Sequence, residues 1–470
     1  MAGRLITPAR SATVTALRRD VAPGQAFAAF RARPHAFFLD SGLAGSPLAR
    51  FSFLGAEPRL RVSAKGRAIR LREGGREQRL EGNPFHALRA LLEQHRTPPA
   101  SGPVPFLGGF VGYLGYDLCH FIERLPRRAA DDLALPDMHF GLYENLVAYD
   151  HAAGRWYAVT ASGDVAAIAR LDDLLAAAAT LSAPGATGPA SAGPLRANFT
   201  REAYLAAIRK AKEYIAAGDI FQVNLSQRFE TRLAISPAEL YGRLRQANPA
   251  PFAAYLALDD DGAAVLSSSP ERFLKVTGRR VETRPIKGTR PRGATPEDDR
   301  RLAAELVASA KDAAELAMIV DLERNDLGRV CDYGSVRVAE HKAVEAYASV
   351  FHLVSTVEGS LHEGRDLVDL LKATFPGGSI TGAPKIRSME IIDELEPTQR
   401  SVYTGSIGYL GLDGAVDLNI AIRTILVRRG KAYLQVGGGI VADSDPAAEY
   451  QETLDKGRRL FAALGHCHEH

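Results

Sequence analysis

A lysine sits at the centre of the run Arg284-Pro-Ile-Lys-Gly-Thr-Arg-Pro-Arg-Gly293. A primary amine becomes a nucleophile when burial or neighbouring cations lower its pKa. Arg284, Arg290 and Arg292 are such cations for Lys287, and they also suit a dianionic substrate. Two other segments carry acids one helical turn apart: Asp312 and Glu315, in a run that continues Leu316, Ile319 and Val320, and Glu449 and Glu452, after Asp445 as an N-cap and Pro446 at the first helical position. That spacing puts both carboxylates of a pair on one helix face, with Lys456 a turn beyond Glu452. Alone, each pair is also what a solvated acidic face looks like. If the two helices meet, four carboxyl groups converge and require a cation. Oxygen donors without His or Cys suit Mg²⁺, which keeps several waters and binds substrate oxygens too.

These side chains need a scaffold, and the composition provides for one. With 470 residues, 46% hydrophobic and 24% charged, the chain can build a large core. A net charge of +3 gives no electrostatic case for nucleic acid. No apolar run reaches the length of about twenty residues that a membrane span needs. Cys119, Cys331 and Cys467 lie far apart without a CxxC pair, and the N-terminus lacks a signal-peptide core, so a cytoplasmic protein is expected. The tail His466-Cys-His-Glu-His470 has metal-ligand residue types, but a frayed terminus is the expectation.

The low-complexity stretch from Ser182 to Pro194 divides the chain into an N-terminal region 1–181, a flexible linker or loop 182–196, and a catalytic region 197–465. Before it, β-type runs are expected at 36–40, 51–54, 60–62, 68–71 and 147–149, and a helix near 164–181. After it, Tyr204, Ile208, Ala211 and Ile215 mark a helical face that Gly218 stops. Phe221, Val223 and Leu225 alternate with Gln222, Asn224 and Ser226 as a strand with one polar face. Further strands are expected at 252–258, 263–268, 405–411, 416–427 and 432–437, which makes the fold α+β. The Gly377–Lys385 loop superficially suggests a phosphate loop, but Ala383 stands where its lysine would have to follow Gly382.

Many ordered strings carry a resemblance: Gly218-Asp-Ile-Phe-Gln-Val-Asn-Leu-Ser-Gln-Arg-Phe229, Ser268-Ser-Pro-Glu-Arg-Phe273, the Lys287 segment, Val320-Asp-Leu-Glu-Arg-Asn-Asp-Leu-Gly328, His352-Leu-Val-Ser-Thr-Val357, Phe375-Pro-Gly-Gly-Ser-Ile-Thr-Gly-Ala-Pro-Lys385, Ile422-Arg-Thr424 and Gly437-Gly-Gly-Ile-Val-Ala-Asp-Ser-Asp445. With Gly108-Gly-Phe-Val-Gly-Tyr-Leu-Gly-Tyr-Asp117 upstream, most of the chain resembles the catalytic components of the chorismate-using anthranilate and aminodeoxychorismate synthases. The resemblance implies a large α/β sandwich of two antiparallel sheets flanked by helices, with the N-terminal part packed into the same body. It implies Glu315 and Glu452 as direct Mg²⁺ ligands, with Asp312 and Glu449 as outer partners. Glu271 becomes the general acid, needed because a hydroxide leaving group must take up a proton. Substrate contacts are implied for Gln222, Thr289, His352, Ser379, Thr381, Tyr409, Arg423, Lys456 and the backbone of Gly437, Gly438 and Gly439. Asp40 and Ser41 fall in the family's tryptophan-pocket region.

Two positions separate the reactions within the family. Isochorismate- and salicylate-forming members place a water-activating lysine where this chain has Gln222. Anthranilate synthases carry Ala where this chain has Lys287. Both differences imply that chorismate is converted to 4-amino-4-deoxychorismate by amino-group transfer, through a covalent Lys287 intermediate. No segment resembles a glutamine amidotransferase or a lyase, so a separate amidotransferase subunit supplying ammonia and a separate pyridoxal-phosphate-dependent lyase acting downstream are expected. His352 favours the alternative, an anthranilate synthase component. A non-catalytic tryptophan- or chorismate-binding partner of a glutaminase is the third reading.

Overall fold

The computed structural model describes residues 12–466 apart from 44, 47, 161–163, 186, 187, 260, 261, 348 and 349. Cys467 to His470, most of the tail considered above, lie outside the described residues.

Among these residues the strands form two twelve-stranded sheets, and every named strand pair is antiparallel. The first sheet runs from Thr13–Leu17 at one edge through Phe37–Asp40 and Phe252–Ala257 to Lys431–Ile440 and Gln222–Arg232. The second runs from Ile286–Pro291 through Val350–Ser360, Arg272–Thr277 and Ser406–Gly411 to Gly109–Leu114 and the outer hairpin ending at Arg76–Glu81. The expected sandwich is present.

Alternation along the strands explains how both faces of each sheet are covered. In Gly109–Leu114, Val111 and Tyr113 point inward with Ile407 and Tyr409, against Phe37, Phe53, Val265 and Leu426 of the other sheet. Phe110 and Leu114 point outward into a core shared with helices, including Pro84–His95 and Leu367–Thr374. The outer face of the first sheet packs Phe38, Leu54 and Val436 against Phe27, Leu175, Leu244 and Phe461 of its own helical layer. A period of two on a sheet covered on both sides produces these separate cores.

Strands from either side of residues 182–196 pair in both sheets: Phe37–Asp40 with Phe252–Ala257 in one, and Gly109–Leu114 with Ser406–Gly411 in the other. The stretch itself is laid against the body. Ala192 N–H donates to Arg232 O at 2.9 Å, Ala190 is fully buried, and Ala234 N–H donates to Ala190 O.

The single strand expected over 416–427 is two strands. Val416–Asn419 belongs to the second sheet and Thr424–Arg428 to the first. The chain changes sheet at 420–423, where Arg423 adopts a left-handed φ of 52°. The apolar alternation is continuous across the change because both ends are buried, so the pattern hides the break.

One buried ion pair ties the elements around the site together. Arg400 and Glu396 are 1% and 2% exposed and 2.7 Å apart. Arg400 also donates to Asn224 O and Ile380 O, while Glu396 accepts from Ser226 N–H. Removing one partner of such a pair strands the other charge. Arg400→Met should cost about 3–5 kcal/mol, read as a fall in the urea midpoint, whereas Arg301→Ala, in an exposed pair, should move it by less than about 1 kcal/mol.

Candidate active site

Lys287 lies on the strand Ile286–Pro291, where the register against Val350–Ser360 shifts between Lys287 and Thr289. Gly288 fills that irregularity at φ 76°, and a β-carbon there would meet Asp312 Cγ at 2.9 Å. Lys287 Nζ donates to Ser379 O at 3.4 Å. Burial pulls its pKa below that of an ordinary lysine. Glu315 and Glu271 oppose the shift, and Lys456 adds to it. A neutral amine, which is what a nucleophile requires, is thereby brought closer to physiological pH.

Glu271 is 5% exposed, and burial pushes its carboxyl up to about 7, against the opposing effects of Ser379, Lys287 and the Ile286 N–H. Its neighbour Arg272 is occupied elsewhere, by Asp417 and Glu282 at 2.9 Å each. Glu271 is therefore free to act as an acid near neutrality.

An acid from each of the two helices, Glu315 and Glu452, acts electrostatically on this lysine. The helix Pro446–Ala463 starts as expected, with Asp445 as N-cap accepting from Ala448 N–H and Pro446 in the first turn. A β-carbon on Gly438 would lie 3.3 Å from Glu449 Oε2, 3.6 Å from Glu452 Oε1 and 3.7 Å from Lys456 Nζ, so these three groups gather over the glycine backbone. Lys456 pairs with Glu452 at 2.6 Å and donates to Gly437 O. From the helix Ala310–Gly328, Glu315 reaches the same space and acts electrostatically on Lys287, as Glu452 does. Burial raises the pKa of Glu449, which accepts from Ser444 Oγ at 2.6 Å. Burial also acts to raise Glu452, but Lys456, Lys311 and Lys287 outweigh it and its pKa falls.

Among the described residues no three His, Cys, Asp or Glu side chains stand close enough to hold a metal by themselves. Mg²⁺ commonly takes one or two carboxylates and completes its shell with water and substrate oxygens. Glu315 and Glu452 are the residues that could hold one, with Glu449 next to Glu452. Asp312 is drawn elsewhere, into an ion pair with Arg290 at 3.0 Å.

Other expected residues lie around the same centre. His352 is buried, its Nδ1 3.0 Å from Thr289 Oγ1. Burial and Arg423 press its pKa down to about 4, so the imidazole is neutral at physiological pH. Arg423 is half-buried near Tyr403 and Glu452, and donates to Lys456 O. The Gln222 amide packs so tightly on Gly439 that a β-carbon there would lie 1.9 Å from Nε2. Thr381 Oγ1 donates back to Gly377 O and Gly378 O, holding the Ser379 turn.

Two expectations move. The arginines around Lys287 are committed to protein acids: Arg284 to Glu345, Arg290 to Asp312 and Arg292 to Asp299. The cation that acts on Lys287 is instead Lys456. Tyr409, grouped with the substrate residues, lines a separate cavity of about 290 Å³ with Asp40, Ser41, Arg50, Phe53 and Arg272. Lys385, from the glycine-rich loop, is held by Asp326 and Thr374 O.

Two groups had not been singled out. Lys311 lies 4.0 Å from Glu315 and influences Glu449 and Glu452. Glu323 is buried, accepts from Thr283 Oγ1 at 2.9 Å and is raised to about 8 by burial and by Glu271. Its signal was available: Leu316, Ile319, Val320, Glu323 and Leu327 form one helical face, and an acid in an apolar row is the anomaly.

Residues 37–462 match the family model described as chorismate binding enzyme. The chain belongs to this family. Aminodeoxychorismate synthase component 1 of Bacillus subtilis is 42% identical over 441 residues, 92% of each chain. Anthranilate synthase component 1 of Thermus thermophilus is 46% identical over 441 residues, also 92% of each. Anthranilate synthase component I from Streptococcus pneumoniae superposes with a TM-score of 0.77 at 33% identity, covering 90% of this chain and 93% of that one. Overall identity to this chorismate-binding family thus does not separate its two amino-transferring reactions, and the site must.

An acid that donates a proton is active only while protonated, so turnover should fall as pH rises through about 7, the value for Glu271. Glu271→Gln should lower kcat by about 10²–10⁴ and abolish that descending limb. A limb that persists in the Gln variant would assign the acid to another group.

Proposed function

We propose that this chain is the chorismate-converting component of an aminodeoxychorismate synthase. The observation that carries the reading is Lys287: an amine in a low-dielectric site, with depressed basicity, beside a carboxyl that is still protonated near neutrality. The neutral Lys287 amine attacks C2 of chorismate. Both conjugated ring double bonds shift and the C4–O bond breaks, with Glu271 giving its proton to the departing hydroxide so that water leaves. Ammonia then attacks C4, the two double bonds shift back, and the C2–N bond electrons return to Lys287, which leaves as the neutral amine. The ammonium formed at C4 returns one proton to Glu271, and the sum is chorismate plus ammonia to 4-amino-4-deoxychorismate plus water.

Glu315 and Glu452 would hold Mg²⁺, with Glu449 supporting them from outside. The metal would supply positive charge for the ring carboxylate. Arg423, Lys456 and the backbone of Gly437–Gly439 would grip the substrate's carboxylates, with Thr289 and His352 beside them. A neutral His352 suits orientation of the substrate better than proton transfer. Ammonia would come from a glutamine amidotransferase subunit, as the name "component 1" of the relatives supports. The product would pass to a separate pyridoxal-phosphate-dependent lyase. Described cysteines that are free and buried, and the lack among described residues of a helix able to cross a membrane, support a cytoplasmic setting.

The second reading, anthranilate formation, is favoured by His352 and by the Thermus thermophilus relative. Purified protein given chorismate, Mg²⁺ and ammonium, with products resolved by mass spectrometry, should accumulate 4-amino-4-deoxychorismate and none in the presence of EDTA. Without ammonium a chorismate-derived adduct should appear on Lys287 and be absent from Lys287→Ala. Anthranilate with pyruvate, and no adduct, would overturn the reading.

The cavity at Asp40, Ser41 and Tyr409 is proposed to hold tryptophan. Its aromatic wall of Phe53 and Tyr409 and the exposed guanidinium of Arg50 suit an aromatic ligand that carries a carboxylate. Asp40 itself is engaged by Arg245 and Tyr241. Tryptophan should raise the melting temperature by mass action, and Tyr409→Ala should remove the rise. An equal rise in both proteins would place the ligand elsewhere.

A further inference from the structure

Tyr347 follows the strand Arg337–Ala346 and has no part in the scheme above, yet it contacts both His352 and the peptide bond leading into Glu271. Its ring meets the His352 imidazole edge to face, with centroids 4.9 Å apart and planes at 79°. Its hydroxyl donates to Pro270 O at 3.3 Å and shares its proton with Glu345 Oε2 at 3.1 Å. Glu345 is tied through its other oxygen to Arg284. Burial, and then Glu345, push the pKa of the hydroxyl up, so it stays a donor. Tyr347 is 6% exposed and packs with Leu43, Ala49 and Val350. Its backbone is held as well: the N–H donates to Val350 O at 2.8 Å, and the carbonyl accepts from Arg292 at 3.0 Å.

A tyrosine buried this far needs a partner for its hydroxyl, and this one finds it beside the acid. The main chain around Glu271 is held at three points. Its N–H donates to Ser269 Oγ at 3.2 Å, its carbonyl accepts from Ile420 N–H at 3.0 Å, and the carbonyl before it accepts from Tyr347. Of these three bonds, only the last comes from a side chain that also touches His352. That imidazole is in turn held at Nδ1 by Thr289 and across its ring by Tyr347. A reacting group displaced by a fraction of an ångström loses much of its effect, so what aims Glu271 matters as much as its charge state. We infer that Tyr347 is a positioning residue for the reaction: its hydroxyl sets Glu271 through Pro270 O, and its ring sets the plane of His352. The inference rests on the proposed role of Glu271 as acid and goes beyond it by naming what aims that acid.

The test follows chorismate consumption by the whole protein with Mg²⁺ and ammonium, so it does not depend on which amine product forms. Tyr347→Phe keeps the ring and removes one oxygen atom. It should lower kcat about tenfold, short of the roughly 10²-fold that a 1 Å misplacement can cost, and move the KM for chorismate less than twofold. Tyr347→Leu removes the ring as well and should also raise that KM several-fold. In a Glu271→Gln background, Tyr347→Phe should have almost no further effect on kcat, because residues that act through one group are not additive. An equal tenfold fall in that background, or an unchanged kcat in folded Tyr347→Phe protein, overturns the inference: the tyrosine then only supports the fold. A Glu271→Gln single variant with unchanged kcat would instead remove the acid role on which the inference rests, and the two failures are read from different proteins.

Discussion

Arg400 is a cation with no route to water, and much of the site's shape follows from meeting its needs. A guanidinium carries five N–H donors in a fixed fork and cannot shed its charge inside a protein. Glu396, Asn224 O, Ile380 O and Thr404 Oγ1 accept those donors, while Tyr116 and Tyr403 cover its faces. Those partners come from a sheet strand, a turn and a helix end that are far apart in sequence. Each is oriented by the same charge, so the strand bearing Gln222 and the turn bearing Ser379 have little freedom relative to each other. Reactive groups held to tenths of an ångström need this kind of support from behind.

Around that support, burial does opposite things to groups of opposite charge type. It disfavours every charged form, lowering Lys287 and His352 and raising Glu271 and Glu323. The proposed nucleophile and the proposed acid are therefore both moved toward their working forms by one cause, without a dedicated base. Helical acids and lysines occupy the other wall, where Lys456 and Lys311 balance Glu452 and Glu315. The arginines of the Lys287 segment serve a different end. Paired with Glu345, Asp312 and Asp299, they brace the segment against neighbouring elements.

What the sequence disclosed was chemistry that depends on local spacing. Acids at i and i+3 point the same way whatever the rest of the fold does, and an N-cap followed by proline starts a helix anywhere. The family strings brought Lys287, Glu271, Arg423 and the glycine run to one centre. What stayed hidden depends on partners distant in the chain. Nothing near Arg284 announces Glu345, and nothing near Tyr409 says that it stacks on Phe106 at 4.4 Å, facing another cavity. The change of sheet at 420–423 was masked because both flanking strands are buried. Asn224 was visible as one polar position in an alternating strand, but only the three-dimensional structure shows that its oxygen lacks a donor.

The interleaving of the two sheets also bears on how the chain is made. Phe37–Asp40 finds its outer neighbour in Phe252–Ala257, and Gln222–Arg232 finds its long partner in Lys431–Ile440. A growing chain therefore carries incomplete sheets until nearly all of it has left the ribosome. Contacts of such separation close slowly, and in the interval bare strand edges are open to wrong partners. The arrangement that surrounds Lys287 with two rigid sheets thus lengthens the time in which the newborn chain depends on being kept apart from its own copies.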